Sequence, residues 1–503
     1  MKTISTINRI FNKMHSISTS HRVATAVFFA TAMCSFATQA QAGGLFVPLG
    51  GVATSGRAGA AVVSTRDPNA IAYNPALIAL NEGHQILVDA TWAMLNLEYQ
   101  RSPQVEPNGT TTTFQKVKNE AVGIVIPQIL FTTDFGTDQF GLGVGLFPPN
   151  AAPAKFPATG AQRYAIIDMS NTITFTTEIA FAWRPHPRFS IGAGIQNVTF
   201  VFRGTGVSST YFGVLADQED PDMDSVITIN ASDYFTPSAN FGIWAEPVDG
   251  FELGASFQFF SDHASKNGKF KAALPNHYVY EHSRLEGSKM DLTLSLPWSV
   301  KFGVRYRHAD IFDIELDAWY TGWSRHDNIK IYPHGVWLRD NALVDDVKVG
   351  TFTIPRQMKD TWGIAIGGDW NILPKTLAVR AGMLYESGAA HDDDYSTFMY
   401  DNHKIGVTLG ASYTISFVRL DFSFAHVHQL PKTVTHGRFN NIISSIPKRL
   451  TPQTTAITNR SMISSVSAPI LCSRPRSRLL GAGMRLRFAF HQKRARIEPS
   501  RTK

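Results

Sequence analysis

The chain is 503 residues long, with a formal net charge of +7, 44% hydrophobic residues and two cysteines. That length allows several ordinary domains or one large one, and with so few cysteines it excludes a small disulfide-stapled scaffold. The slight positive balance, with no basic–aromatic face, excludes a nucleic-acid partner.

The scattered cations Lys2, Arg9, Lys13 and Arg22 lead into the apolar run VATAVFFATAMCSFA (23–37), followed by Ala40-Gln41-Ala42. Basic, apolar, then small-residue site is the order of a secretory signal peptide, and the run is too short for a spanning helix. Residues 1–42 are read as that peptide, with cleavage after Ala42. Its removal takes away four cations and no acid, leaving +3. Cys472 is then the only cysteine, so no internal disulfide forms. Beyond residue 42 no apolar run approaches membrane-helix length; the longest is VGIVIPQILF (122–131).

Next comes a Gly- and Ala-rich lead, GGVATSGRAGAAVVSTRDPNAIAYNPALIALNEGHQ (50–85). Small residues allow close backbone packing. Pro75 fixes its own φ and biases Asn74 toward an extended conformation, so Asn74-Pro75-Ala76 reads as a tight turn.

From about residue 85 the dominant pattern is alternation. IGVTLGASYTI sets Ile405, Val407, Leu409, Ala411 and Tyr413 against Gly406, Thr408, Gly410 and Ser412. FVRLDFSFAH and LLGAGMRLRFAF repeat the pattern, with charges and glycines on the polar face. Period two means strands with unlike faces. Segments of about ten residues, separated by turns, are the mark of a transmembrane β-barrel; a soluble sandwich is the competing reading. Fourteen strand cores are expected: 86–99, 121–134, 139–147, 163–183, 188–203, 233–246, 251–262, 290–306, 311–323, 360–371, 377–387, 403–415, 417–428 and 479–490. Short links (GTDQ, RPHP, PVDG, LPKT) alternate with long ones (101–118, 204–232, 263–288, 324–358, 388–402, 429–478), as in outer-membrane barrels. One strand carries Lys301, Arg305 and Arg307, and the next Asp313, Glu315 and Asp317. On a lumen face these charges either neutralise the wall or present a contact surface to a plug.

Enzyme signatures are missing: there is no G-x-S-x-G, H-E-x-x-H or phosphate-binding loop. No catalytic residue, cofactor or metal site is assigned; His426 and His428 share one strand face without a ligand motif.

Asn74-Pro75-Ala76 after the run Gly56–Ala61, together with FGTDQFGLGVGLFPP, DLTLSLPWSVKFGVRYR, IELDAWYTGWS, DTWGIAIGGDW and VRAGMLYES in that order, resembles the outer-membrane long-chain fatty acid transporter family, which includes the aromatic-hydrocarbon uptake channels. The resemblance covers about 43–430 and the last strand. It implies an all-β, 14-stranded antiparallel transmembrane barrel (85–490) plugged by an N-terminal hatch (43–84), monomeric, in the Gram-negative outer membrane. It further implies passive uptake of a hydrophobic ligand, long-chain fatty acids first and monoaromatic or alkane hydrocarbons as the alternative, by loop capture, an internal site and sideways exit at a kinked third strand. Gly143, Gly145 and Pro148 suit that kink, since Gly marks close backbone approach and Pro cannot donate to a ladder. By the same resemblance Asn74, Pro75 and Ala76 face the kink and gate it. An apolar groove with one cation suits a fatty carboxylate. Phe147, Lys155, Arg163, Arg203 and Lys271 are the candidate contacts, and none of the four cations matches a family motif closely enough to carry a role over. A non-transporting structural or adhesive barrel remains the reading from another class.

The C-terminus departs from the family. Barrels of this kind end on an aromatic residue read by the assembly machinery, whereas here Phe490 is followed by the basic tail 491–503. No Asp or Glu occurs between Asp421 and Glu498. The Ser-, Thr- and Arg-rich stretch 431–478 is read as a long loop of low order on the extracellular side, with lipopolysaccharide phosphates as its candidate partner.

Overall fold

Exposure along the strands decides between sandwich and barrel. In Thr361–Leu373, Trp362, Ile364 and Ile366 are 50%, 45% and 43% exposed while Thr361 and Ala365 are buried. A soluble sandwich turns its apolar face inward. Here the apolar face points out, and small or polar side chains point in, as lipid outside and a polar interior require. No helix among the described residues is long and apolar enough to cross a membrane.

The computed structural model describes residues 50–105, 109–151, 154–210, 220–342, 344–437, 453–455, 461–463 and 484–490, all within one unit of the chain. The expected signal peptide, hatch residues 43–49, most of 431–478 and the tail 491–503 lie outside the described residues.

Fourteen strands form the wall: β1 (His84–Ala93), β2 (Ile124–Thr133), β3 (Phe140–Phe147), β4 (Ile173–His186), β5 (Phe189–Ser209), β6 (Asp224–Asp233 and Pro237–Val248), β7 (Phe251–Gln258 and Ser261–Ala273), β8 (Lys289–Leu296 and Ser299–His308), β9 (Phe312–Thr321 and Asn328–His334), β10 (Phe352–Pro355 and Thr361–Leu373), β11 (Leu377–Glu386), β12 (Lys404–Ile415), β13 (Val418–Gln429) and β14 (Met484–Phe490). Each pairs antiparallel with the next. β14 pairs with β13 (Val418↔Phe488) and with β1 (His84↔Phe490), so the ladder closes into a ring.

All fourteen expected cores fall on wall strands, but the boundaries move. The fourth begins at Ile173 rather than 163. Parts of the links expected at 204–232, 263–288 and 324–358 are strand, because β5 to β10 continue beyond the apolar band. Above the bilayer the outer face need not be apolar. Lysine, serine and asparagine occupy it, and the contrast that marks a strand in sequence fades. β6 to β10 are all interrupted at one level, between their two segments. Pro297, which has no N–H to give, sits at the break in β8.

Aromatic residues ring the band. Phe259, Tyr320 and Trp362 lie on the upper side and Phe251, Phe312 and Trp370 on the lower, eight residues apart along each strand. At ~3.4 Å per residue and a tilt of ~40°, eight residues rise about 21 Å, close to the thickness of an outer-membrane apolar band.

The hatch fills the ring. It contains α1 (Val52–Ser55), α2 (Ala70–Tyr73) and a 3-10 turn, Pro75–Leu80. Two four-residue helices are far below the length at which helices stand alone. Their order comes from burial: Val52, Ile71, Leu77 and Ile78 have no exposed surface.

Candidate functional site: the hatch, its wall and the cavity between them

Asn74 adopts an extended backbone (φ −159°) before Pro75 and caps the 3-10 turn, its Oδ1 accepting from the Ala76 N–H at 3.1 Å. Its Nδ2 donates to the Val62 carbonyl at 2.9 Å and to the Ile243 carbonyl of β6 at 3.0 Å. One amide therefore ties the turn, the earlier hatch and the wall together. The fit is close: a Cβ on Gly242 would lie 1.9 Å from Asn74 Oδ1. Ser190 of β5 donates to the Ala76 carbonyl at 2.9 Å. The bonds of the turn thus go to β5 and β6. Ile71, Ile78 and Ala79 of the hatch meet the third strand, packing where Cβ atoms on Gly143 and Gly141 would stand. Sequence reasoning missed both isoleucines, because nothing local distinguishes them from core.

The charged faces of β8 and β9 serve the plug. Arg305 stands opposite Glu315 in the ladder, yet its ion pairs go to Glu252 at 2.9 Å and Asp313 at 3.2 Å. The carboxylates reach further inward. Asp317 accepts the N–H groups of Ala61 and Val62, and Glu315 those of Val63 and Ser64. Arg57 of the hatch pairs with Asp313 at 2.6 Å, Asp369 at 2.8 Å and Glu315 at 3.2 Å. Burial alone would lower the Arg57 pKa. Asp313, Asp369 and Glu315 outweigh it and hold the guanidinium charged, well above its ordinary value. The face is therefore both neutralised and a contact surface for the plug.

The third strand is paired unequally on its two sides. With β4 it pairs from Phe140 to Phe147; with β2 the pairing stops at Leu146↔Ile129. Among the described residues, Ile124–Gln128 of β2 consequently pair with β1 and have no strand partner on the β3 side. Beyond Phe147 come Pro148 and Pro149.

Beside this strand end lies a cavity of about 130 Å³, bounded by Tyr73 and Pro75 of the hatch, Phe147, Val198, Phe257 and Lys301. Gln196, Asn240 and Gln258 also line it. Gln196 and Gln258 are bonded to each other at 2.6 Å, while Asn240 donates to the Ile71 carbonyl at 3.1 Å. Tyr73 donates to the Gly50 carbonyl at 2.9 Å, and burial pushes its phenol up to about 12. The Lys301 ammonium sits 4.9 Å from the centre of the Tyr73 ring and has no carboxylate within ion-pair distance among the described residues.

Of the five residues expected to touch ligand, only Phe147 lines this cavity. Lys155, Arg203 and Lys271 are exposed. Arg163 pairs with Asp224 at 2.7 Å and lies over the Tyr164 ring. Lys301 was visible in the sequence as one charge of a polar strand face; its separation from Arg305 and Arg307, which are spent on pairing, needed the tertiary contacts.

Above the cavity a large apolar core fills the upper wall, including Phe200, Phe270, Met290, Leu292, Trp323 and Tyr395. One polar cluster crosses it, in the connections above the band. His326 bonds the Ser295 carbonyl at 2.6 Å, and Arg356 donates to His326 Nε2 at 3.2 Å and to the Phe398 carbonyl at 2.7 Å. Burial, with the neighbouring guanidinium adding to it, pushes His326 down to about 3. Neutral His326 can therefore accept from Arg356.

The chain matches the family described as "Outer membrane protein transport protein (OMPP1/FadL/TodX)" over residues 33–465. No curated protein sequence matches it. It is similar in structure to a Pseudomonas aeruginosa FadL homologue (15% identity, 90% of this chain and 100% of that one, TM-score 0.69). It is also similar to the Ralstonia pickettii toluene transporter TbuX (14%, 88% and 98%, 0.57) and the P. putida toluene transporter TodX (14%, 87% and 98%, 0.58). At these identities the structures speak for the fold, and the family match for membership: a closed 14-stranded wall around an anchored hatch, the chain belongs to the OMPP1/FadL/TodX family of outer-membrane transport proteins.

Proposed function

We propose that the protein is a passive uptake channel for hydrophobic molecules, with long-chain fatty acids as its substrates. The observation that carries this reading is the unpaired Lys301 ammonium in a cavity where Phe147, Val198, Phe257 and the Tyr73 ring share the wall with Gln196, Asn240 and Gln258. One cation and a few polar groups beside apolar walls suit a carboxylate with an alkyl chain. A cavity of this size takes a carboxylate and the first few carbons, since a dry site of about 150 Å³ holds a single benzene ring. The chain of the ligand would extend into the apolar core above. Exit would be sideways, between Ile124–Gln128 of β2 and the Pro148-Pro149 end of β3, with the hatch turn setting access.

A second reading is favoured by the ring-sized cavity and its aromatic walls: uptake of monoaromatic hydrocarbons, as the names of two of the similar structures state for those proteins. Calorimetry on the detergent-purified protein separates the two, with dodecanoate and toluene as ligands and Lys301→Met as the variant. A charge-assisted hydrogen bond is worth about 1.5–3 kcal/mol. Dodecanoate should therefore lose roughly tenfold or more in affinity, while toluene is unaffected. Saturable toluene binding without dodecanoate binding would transfer the assignment to hydrocarbons. Binding of neither would remove the transport reading.

A further inference from the structure

Above the aromatic belt the outer faces of β5 to β9 carry charge in register. Arg203, Asn230, Lys269, Lys289 and His334 stand opposite one another across five consecutive strands. The adjoining row runs Lys155, Asp168, Thr205, Thr228, Lys271. Lys330, opposite Thr293, flanks the block. These cations face outward, because the alternate residues Phe270, Met290, Leu292, Ile329 and Ile331 are buried in the apolar core.

Their partners are the informative part. The carboxylates on the same face are already engaged. Asp291 takes Lys266 at 3.2 Å and His334 at 3.2 Å. Asp262 takes Arg325 at 2.6 Å. Asp233 accepts from Thr236 and from the Ala264 N–H. Arg203, Lys155, Lys269, Lys271, Lys289 and Lys330 are all exposed and have no ion-pair partner among the described residues. Asp168, the one carboxylate in these rows, accepts from Ser170, so six cations without an ion-pair partner repel each other and call for an anionic surface. The patch starts five residues beyond exposed Phe235 on β6 and nine to ten beyond Phe259, Trp298 and Tyr320 on β7 to β9. At ~3.4 Å per residue and a tilt of ~40° that is about 10–25 Å above the apolar band. The lower end of that range adjoins the headgroup layer, which extends about 5–8 Å beyond the apolar core on each side.

We propose that this face of the upper wall, rather than the 431–478 loop, is a docking surface for lipopolysaccharide, with the lysines binding its lipid A and inner-core phosphates. Arg203, Lys155 and Lys271, which the sequence offered as ligand contacts, belong to this surface and not to the transport path. Basic clusters next to a membrane gain affinity for anionic lipid with each added Lys or Arg, and that gain is screened by salt.

The test measures binding of the detergent-purified full chain to bisphosphorylated lipid A, to the same lipid with both phosphates removed, and to inorganic pyrophosphate. Lys269→Glu/Lys271→Glu/Lys289→Glu is compared with Lys116→Glu/Lys118→Glu/Lys348→Glu, an equal charge reversal on exposed extracellular residues elsewhere. The phosphorylated lipid should bind roughly tenfold or more tightly than either comparison ligand, and more weakly as salt rises. The first variant should lose that difference and the second keep it. Equal binding of lipid A with and without phosphates by the wild-type chain overturns the proposal, whether or not the variants fold. So does pyrophosphate binding as tight as lipid A, or equal loss in both variants.

Discussion

Arg57→Met tests whether the hatch is held by charge. The wild-type guanidinium meets three carboxylates at 2.6–3.2 Å, all of them largely buried. The loss is not three ion pairs. Asp313 keeps Arg305 at 3.2 Å and Asp369 keeps Arg380 at 3.1 Å. Glu315 keeps the N–H groups of Val63 and Ser64. What remains is one broken buried pair, worth about 3 kcal/mol at the low end for such sites. That raises the population of a displaced hatch about 10²-fold at 25 °C. The wall should be untouched, since its ladders do not involve Arg57. Two assays read this: conductance of the protein in planar bilayers, and tryptic cleavage after Arg66, which is half-buried in the seated hatch. Arg57→Met should be leaky and cleaved quickly, with an unchanged barrel melting temperature. Arg57→Lys, which keeps the charge but not the planar fork, should fall between. Conductance and cleavage equal to wild type in Arg57→Met would refute electrostatic anchoring and leave apolar burial as what seats the hatch.

Asn74→Ala removes three hydrogen bonds, to Val62, Ile243 and Ala76. With net contributions of about 1 kcal/mol each, it should shift dodecanoate uptake by cells measurably while leaving the amount of folded barrel unchanged; unaltered uptake removes the turn from the access step. Gly242→Val should have a stronger effect of the same kind, because its Cβ would occupy the position of Asn74 Oδ1. Acid sensitivity should come from the extracellular core. His326 titrates near 6.5 when unfolded and at about 3 when folded, so the unfolded chain binds the extra proton between those values. Its contribution to stability is complete above about pH 6.5 and is lost as pH falls toward 3. Thermal melting of His326→Gln against wild type across pH 7 to 3 should show a flatter profile in the variant, and parallel profiles would sink the assignment.

Much of the architecture was legible in the residues alone, because a barrel wall has a local code. Lipid on one side and a polar interior on the other force period-two alternation, as in Trp362, Ile364 and Ile366 against Thr361, Gly363 and Ala365, and the same constraint repeated fourteen times sets the strand count. Asn74-Pro75 was equally local, since proline restricts itself and its neighbour whatever surrounds them. The upper extensions of β6, β7, β9 and β10 lost that code where the lipid ends, so they read as loop, whereas that of β8 kept its alternation and read as strand. The site depended on distance between residues far apart in sequence. Arg57 finds Asp369 across 312 positions, and Lys301 stays unpaired because the carboxylates nearest it are taken, Asp317 by the Ala61 and Val62 N–H groups and Glu386 by Lys404. Pairing of buried charges is settled by which strand lies opposite which. That is a property of the closed ring, and no single stretch of sequence contains it.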